Sequence, residues 1–302
     1  MLKDILVVLE ESDRAAIPYA VSFAKRVEAR LTALWPRRDL SLLSDGSLEA
    51  RHAAMRGDRE GRDARARAAL ESFAAQARAA GVEAEALDYD DPHAVQPMDA
   101  PAFARGFDLV VVEQIEPGRA PGLNDLAGAI LAESGRPVVV VPGIQRAAAR
   151  FDRIVAAWDG SQASARAIGD AAPLLALAKH VEIVAVNAAV LSQPVVNGGE
   201  RIARRFARLG VDAAFRRLPG DGDPANLLLS YAADLGADMI VAGGYGHSRL
   251  REALMGGATR PLLGSMRAPV LIFLLKPIGR AGQAGAAGFG FILNAPRHDA
   301  RE

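Results

Sequence analysis

The chain has 302 residues, half of them hydrophobic and 24% charged, which supports a substantial core and, by length, about two domains. Thirty-six Lys and Arg balance thirty-six Asp and Glu, so no basic excess recruits nucleic acid, and the absence of cysteine excludes disulfides and thiolate chemistry. The opening MLKDILVVLEESD carries too short an apolar run for a signal peptide, and no run approaches the roughly 18 residues of a membrane span, so a cytoplasmic protein without membrane partners is expected.

The elements expected along the chain come in two series. Asp4-Ile-Leu-Val-Val-Leu-Glu-Glu-Ser12 lies over Arg153-Ile-Val-Ala-Ala-Trp-Asp-Gly-Ser161 at an offset of 149, and Leu31–Trp35 over Val181–Ala185 at 150. Past an extra segment near Pro36–Arg59 the offset drops to about 130. There Ala80–Glu83 lies over Leu209–Asp212, Asp91-Pro92 over Asp223-Pro224, Asp108–Val112 over Asp238–Ala242, and Arg136–Val140 over Ala268–Ile272. Six correspondences in one order indicate two diverged copies of one domain.

Within the second copy, short Val/Ile/Leu-rich strands are expected at 153–158, 181–187, 212–217, 238–243 and 269–275, continuous as in sheets covered on both faces. Helices lie between them. Ser161 caps one through 163–178, Gly210 ends another, and Asp223-Pro224 supplies an N-cap followed by proline at the first helical position. Strands alternating with helices predict an α/β fold, two tandem doubly wound parallel sheets, with domains at 1–145 and 150–276. Residues 277–302, Gly/Ala-rich and without periodicity, are expected to form a flexible tail. The apolar last strands, 137–141 and 269–275, are expected at sheet edges, which need a cover.

Ligands of open parallel sheets sit beyond the carboxyl ends of the strands, where the strand order reverses. Asp159 closes the first strand of the second copy, and the glycines at 243–246 close its fourth, so both would face one crevice if these strands are neighbours. A carboxylate there can accept from a base's amino edge or from ribose hydroxyls. Glycines admit phosphate oxygens close to the backbone. Gly256-Gly257 would open a further helix at Ala258-Thr259, whose free amides and dipole suit an anion.

These residues resemble the universal stress proteins. Gly243-x2-Gly246-x9-Gly256 has the glycine spacing of that family's nucleotide-binding motif, G-x2-G-x9-G-(S/T). The strand-Asp-Gly-Ser start at 154–161 and the Pro-Val-Leu-Ile ending at 269–272 are also similar to it. The resemblance covers about residues 1–276 and implies a tandem protein of that family, with Rossmann-like, adenine nucleotide alpha hydrolase-like domains. It implies one adenine-nucleotide site, for ATP or for ADP or AMP, with Mg²⁺ a further candidate. Asp159, with Ala157 and Trp158 before it, would lie beside the adenosine, and Val186 would contact adenine. Gly243 and Gly246 would line ribose and phosphate, with Tyr245 between them; Gly256, Gly257, Ala258 and Thr259 would face the phosphates. Members of the family pair through the last strand, implying a pseudo-dimer within this chain, to which a homodimer through another surface is a further expectation. One position departs from the motif: Gly257 stands where the family has Ser or Thr. That loss of a hydrogen bond to a charged group is worth about 1.5–3 kcal/mol, or ten- to a hundredfold in affinity.

The first copy lacks this pattern. Glu10-Glu11 replaces Asp159-Gly160, and Glu113-Gln-Ile-Glu116 replaces the glycines at 243–246, acids that would repel a polyanion. No Ser-His partners, paired carboxylates or metal cluster converge at the proposed crevice, and no GxxxxGK, GxSxG or HExxH is present. The residues therefore support a nucleotide-binding regulator ahead of a nucleotide-free interaction protein of the same fold, and both ahead of a slow ATPase. Each site residue also has a structural alternative: Asp159 as a helix N-terminal acid, Trp158 as core, and the glycines as packing positions.

Overall fold

The computed structural model describes residues 2–10, 15–36, 48–87, 95–96, 98–114, 124–186, 191–220, 223–245 and 263–275. In chain order the first half contains β1 (Asp4–Val8), α1 (Ala16–Val27), β2 (Arg30–Leu34), α2 (Leu48–Ala80), β3 (Ala84–Ala86), α3 (Ala100–Ala104), β4 (Leu109–Glu113), α4 (Asn124–Glu133) and β5 (Val138–Val141). The second contains β6 (Arg153–Ala157), α5 (Gln162–Asp170), α6 (Ala172–Leu175), β7 (His180–Val186), α7 (Gln193–Ala207), β8 (Asp212–Leu218), α8 (Pro224–Leu235), β9 (Met239–Tyr245) and β10 (Val270–Leu275).

All ten strands join one sheet in the order β3-β2-β1-β4-β5-β10-β9-β6-β7-β8. Within each half the strands are parallel; the halves meet where β5 and β10 pair antiparallel, Val140 opposite Val270 and Val138 opposite Ile272. The pairing covers the two apolar edges that the sequence leaves exposed. Both faces of the sheet are buried, as the continuous strand pattern requires. On one, Ile5, Val111, Val139, Ile154, Val241 and Leu271 pack beneath α1, α2 and α5 to α7. On the other, Val110, Val140, Val155, Ile240 and Ile272 pack beneath α3, α4 and α8.

Local signals account for most helix ends. Asp223 accepts from the N–H groups of Ala225 and Asn226, ahead of Pro224 in the first turn of α8. Ser161 accepts from Ser164 N at the start of α5. The helix expected through 163–178 is instead two, α5 and α6, broken at Ala171. Pro173, in the first turn of α6, has no N–H to continue the ladder. A repeated device fixes each half's first strand: Asp108 Oδ2 accepts from the N–H groups of Lys3 and Asp4, and Asp238 Oδ2 from that of Arg153. The Pro36–Arg59 segment is in part an extension of α2, which runs 33 residues against 15 in α7; residues 37–47 lie outside the described residues, as does the tail from 277.

Candidate functional site

Strands β6 and β9 are neighbours, Ile154 opposite Met239 and Ala156 opposite Val241, so the order reverses between them and their carboxyl ends share one rim of the sheet. At that rim Ala157 ends β6, and Val186 ends β7 opposite Leu218. Both are half-buried on the α8 face. Asp159 is exposed just beyond, its Oδ1 accepting the N–H of Ser161 at 2.9 Å. Gly160 between them has φ +79°, which L side chains rarely adopt, and a Cβ there would lie 2.6 Å from Val195 Cγ2.

Trp158 points the other way. Its Nε1 donates to Val195 O at 2.8 Å, and the ring fills the space that Gly198 leaves open on α7. The indole thus locks the first turn of α7 to the end of β6 and does not join Ala157 and Val186 on their face.

Gly243 is not in a turn. Strand β9 continues through Tyr245, with Gly243 opposite Phe273, Gly244 opposite Leu274 and Tyr245 opposite Leu275. A Cβ on Gly243 would sit 2.2 Å from Ala163 C and 2.3 Å from Ser164 N, so the backbone of α5 occupies the side-chain position. On Gly244 it would meet Leu274 Cδ2 at 2.3 Å. These glycines let helix and neighbouring strand press onto β9, a packing demand that operates with or without a ligand. Gly246, Gly256, Gly257, Ala258 and Thr259 lie outside the described residues.

The first half uses the matching positions differently. Glu113, at the place of Gly243, turns its Oε2 onto the start of α1 and accepts the N–H groups of Ala15 and Ala16, each at 3.0 Å. Helix α1 has no side-chain cap of its own at Ala15, so this carboxylate satisfies two of its free amides and meets the positive end of its dipole. The acid that would repel a phosphate thus supplies an internal anion to the helix. Next to it, Gln114 Nε2 donates to Leu263 O of the second half at 2.6 Å, and its Oε1 accepts Gly143 N at 3.3 Å.

A polar network missed by sequence reasoning lies where β7 and β8 begin. Glu182, 3% exposed, accepts from Tyr231 Oη, from Arg216 Nε at 3.3 Å and from His180 Nε2 at 3.1 Å. His180 Nδ1 reaches Asp212 Oδ2 at 2.7 Å. Burial opposes ionisation of Glu182, but its three donors outweigh it and hold the carboxyl below its ordinary range. Burial likewise disfavours the His180 cation, yet its hydrogen bonds to Asp212 and Glu182 carry the imidazole above its usual value. The Tyr231 hydroxyl is pushed up to about 12 by burial and by the Glu182 carboxylate. The signal available in the sequence was a lone acid in the otherwise apolar run VEIVAV. At the starts of their strands, these groups are remote from the rim bearing Asp159. Among the described residues no three His, Asp or Glu side chains cluster as a metal site, and no helix is long and apolar enough to cross a membrane.

Residues 199–273 match the model of the universal stress protein family. No curated protein matches the chain in sequence. Among solved structures, a universal stress protein from Archaeoglobus fulgidus DSM 4304 is similar at a TM-score of 0.65 and 16% identity, over 90% of this chain and 96% of that one. A functionally unknown protein from Pseudomonas aeruginosa PAO1 is similar at 0.52 and 18%, over 91% and 93%. One segment of the second half thus matches the universal stress protein family directly, and the chain shares the fold of a universal stress protein along nearly its whole length.

Proposed function

We propose that this protein is an adenine-nucleotide-binding regulator with one site, in the unit spanning 150–276, and that the unit spanning 1–145 has none. The observation that carries the proposal is the contrast at one repeat position: Glu113 fills the first half's helix N-terminus with a carboxylate, whereas the second half has glycine there and an exposed Asp159 at the strand end. The described residues fit the adenosine end of a nucleotide. Asp159 can accept from ribose or base, while Ala157 and Val186 offer apolar surface on one face. ATP would add phosphates for the amides of Gly246 and Gly256–Thr259 to bind. The function proposed is binding, with occupancy biasing the shape or assembly of the pair.

A second reading, a nucleotide-free interaction protein, is favoured by Gly243, whose lack of a side chain is accounted for by contact with α5, and by Gly257 in place of Ser or Thr. Denaturing freshly purified protein and chromatographing the released small molecules separates the two. About one ATP or ADP per chain in wild type, lost in Asp159→Ala, supports the site. No nucleotide, with added ATP leaving the melting temperature unchanged, supports the second reading. Asp159→Ala suits this role because the carboxylate is exposed and bonds the N–H of Ser161 within its own turn.

A further inference from the structure

Helix α7 buries Val196, Gly199, Ala203 and Phe206 on one face. On the opposite face Arg201, Arg204 and Arg205, with Arg208 at the C-cap, are all exposed at i, i+3, i+4 and i+7, the spacing of a single ridge. Arg204 meets Glu200 at 3.4 Å, and the Arg205 guanidinium lies over the Phe206 ring at 5.5 Å. Among the described residues no carboxylate pairs with Arg201, Arg205 or Arg208.

The repeat shows that the fold does not need these charges. Under the correspondence of Ala80–Glu83 with Leu209–Asp212, the sister helix α2 carries Ser72, Ala75, Gln76 and Ala79 at the four places. Its buried Leu70 and Ala77 stand where α7 has Gly199 and Phe206, and a glycine at positive φ follows each helix, Gly81 and Gly210. Like charges three and four residues apart repel, so the ridge works against α7 itself. The helix dipole favours basic residues in the last turn, but α2 meets it with Arg78 alone, and Arg201 lies before the last turn of α7. The helix is also a fixed platform. Trp158 Nε1 holds Val195 O at its start, and Phe215 lies where a side chain on Gly199 would sit.

We infer that this ridge is a docking surface for an acidic segment of a partner protein. Carboxylates along such a segment meet the guanidiniums in charge-assisted pairs, and Leu209, 60% exposed after Arg208, adds an apolar contact. Other polyanions fit less well. Gln193 and Asn197 continue the ridge, exposed and polar, and leave no apolar row to enter a bilayer. Phe206 is buried, so no ring on the ridge stacks a base, and the chain's 36 basic against 36 acidic residues give no excess for a phosphate backbone. The inference stands apart from the nucleotide reading above.

The test grafts the α2 residues onto α7 in the full chain: Arg201→Ser, Arg204→Ala, Arg205→Gln and Arg208→Ala together. Wild type and variant are titrated with labelled poly-L-glutamate at low and high salt, and separately with double-stranded DNA and with vesicles of phosphatidylcholine and phosphatidylserine. The expected result is salt-sensitive binding of poly-L-glutamate by wild type, about tenfold or more weaker in the variant, with the melting temperature unchanged. Equal affinity in the two proteins, or no binding by wild type, overturns the inference. DNA or vesicles bound in place of poly-L-glutamate overturn the choice of partner, as does self-association at low salt that the variant lacks. Should the fourfold variant fail to fold, Arg201→Gln with Arg208→Gln takes its place with the same expectations. A clear fall in melting temperature in this pair as well would mean that the arginines serve the fold, and would overturn the inference too.

Discussion

Val139 lies opposite Leu271, its own counterpart in the repeat. Pairs on either side, Val140 with Val270 and Val138 with Ile272, exchange under the same correspondence, so a local twofold axis passes between Val139 and Leu271. Both side chains are fully buried on the α1 and α5 face, directly opposed across an antiparallel pair and close enough to interact. Leu271→Ala is expected to cost about 2–5 kcal/mol. Combined with Val139→Ala, it should show a coupling of at least about 0.5 kcal/mol in a double-mutant cycle by urea unfolding. Additive losses would mean that the two residues stabilise their own halves and not the junction.

Glu113 offers a second test. Removing a carboxylate that accepts two helix amides strands donors at the start of α1. Glu113→Ala is expected to destabilise the protein by about 1–3 kcal/mol, and Glu113→Gln by less, since an amide oxygen still accepts but carries no charge toward the dipole. Denaturant unfolding decides it: equal losses for the two variants would show that the charge contributes nothing.

The glycines of β9 and of the Asp159 turn should respond to substitution without any ligand. At Gly243 a methyl group meets the backbone of α5, which cannot yield as a side chain can; at Gly160 it meets Val195 and a positive φ as well. Each Gly→Ala change is expected to cost more than about 2 kcal/mol, measured on nucleotide-free protein. A Gly243→Ala protein that melts with the wild type would show that α5 stands away from β9. The consequence for binding studies is that lost affinity after a change at Gly243 does not by itself locate a phosphate.

The His180 network gives stability a pH dependence. Both ring nitrogens face carboxylate oxygens, which only accept, so His180 makes both bonds only as the imidazolium. Its pKa is raised on folding, so this stabilisation is fully present below the unfolded value of about 6.5 and is lost as pH rises through the folded value. Glu182, held low, acts with the opposite sign: its contribution is present above the ordinary carboxylate range and disappears as pH falls through its depressed value. Urea unfolding from about pH 5.5 to 8.5 should show an alkaline decline that is absent from His180→Gln. The same slope in both proteins would remove His180 as its source.

The parts of the fold written in local chemistry were legible. Asp223-Pro224 announces α8 because cap and donors lie within three residues, and the strands expected at 153–158, 181–187, 212–217, 238–243 and 269–275 coincide within two residues with β6 to β10. The repeated Asp108 and Asp238 were visible as a correspondence, though not as the groups that fasten each first strand. What could not be read is what a residue meets across the fold. The spacing of Gly243 shows that a side chain is missing, but not that α5 fills the place. Glu113 shows a charge hostile to phosphate, but not the two amides of α1, 97 and 98 residues earlier, that it binds. Glu182 finds Arg216 and Tyr231 at separations of 34 and 49 residues, which no periodicity encodes.

The axis between Val139 and Leu271 has a genetic consequence. In a dimer of identical chains every substitution appears twice, so a change that seals one site seals both. Here the two sides of the axis are separate stretches of one sequence, and each substitution is read once. One side carries a carboxylate at 113 and an amide at 114 where the other has glycines at 243 and 244, so the same position caps α1 on one side and admits the backbone of α5 on the other.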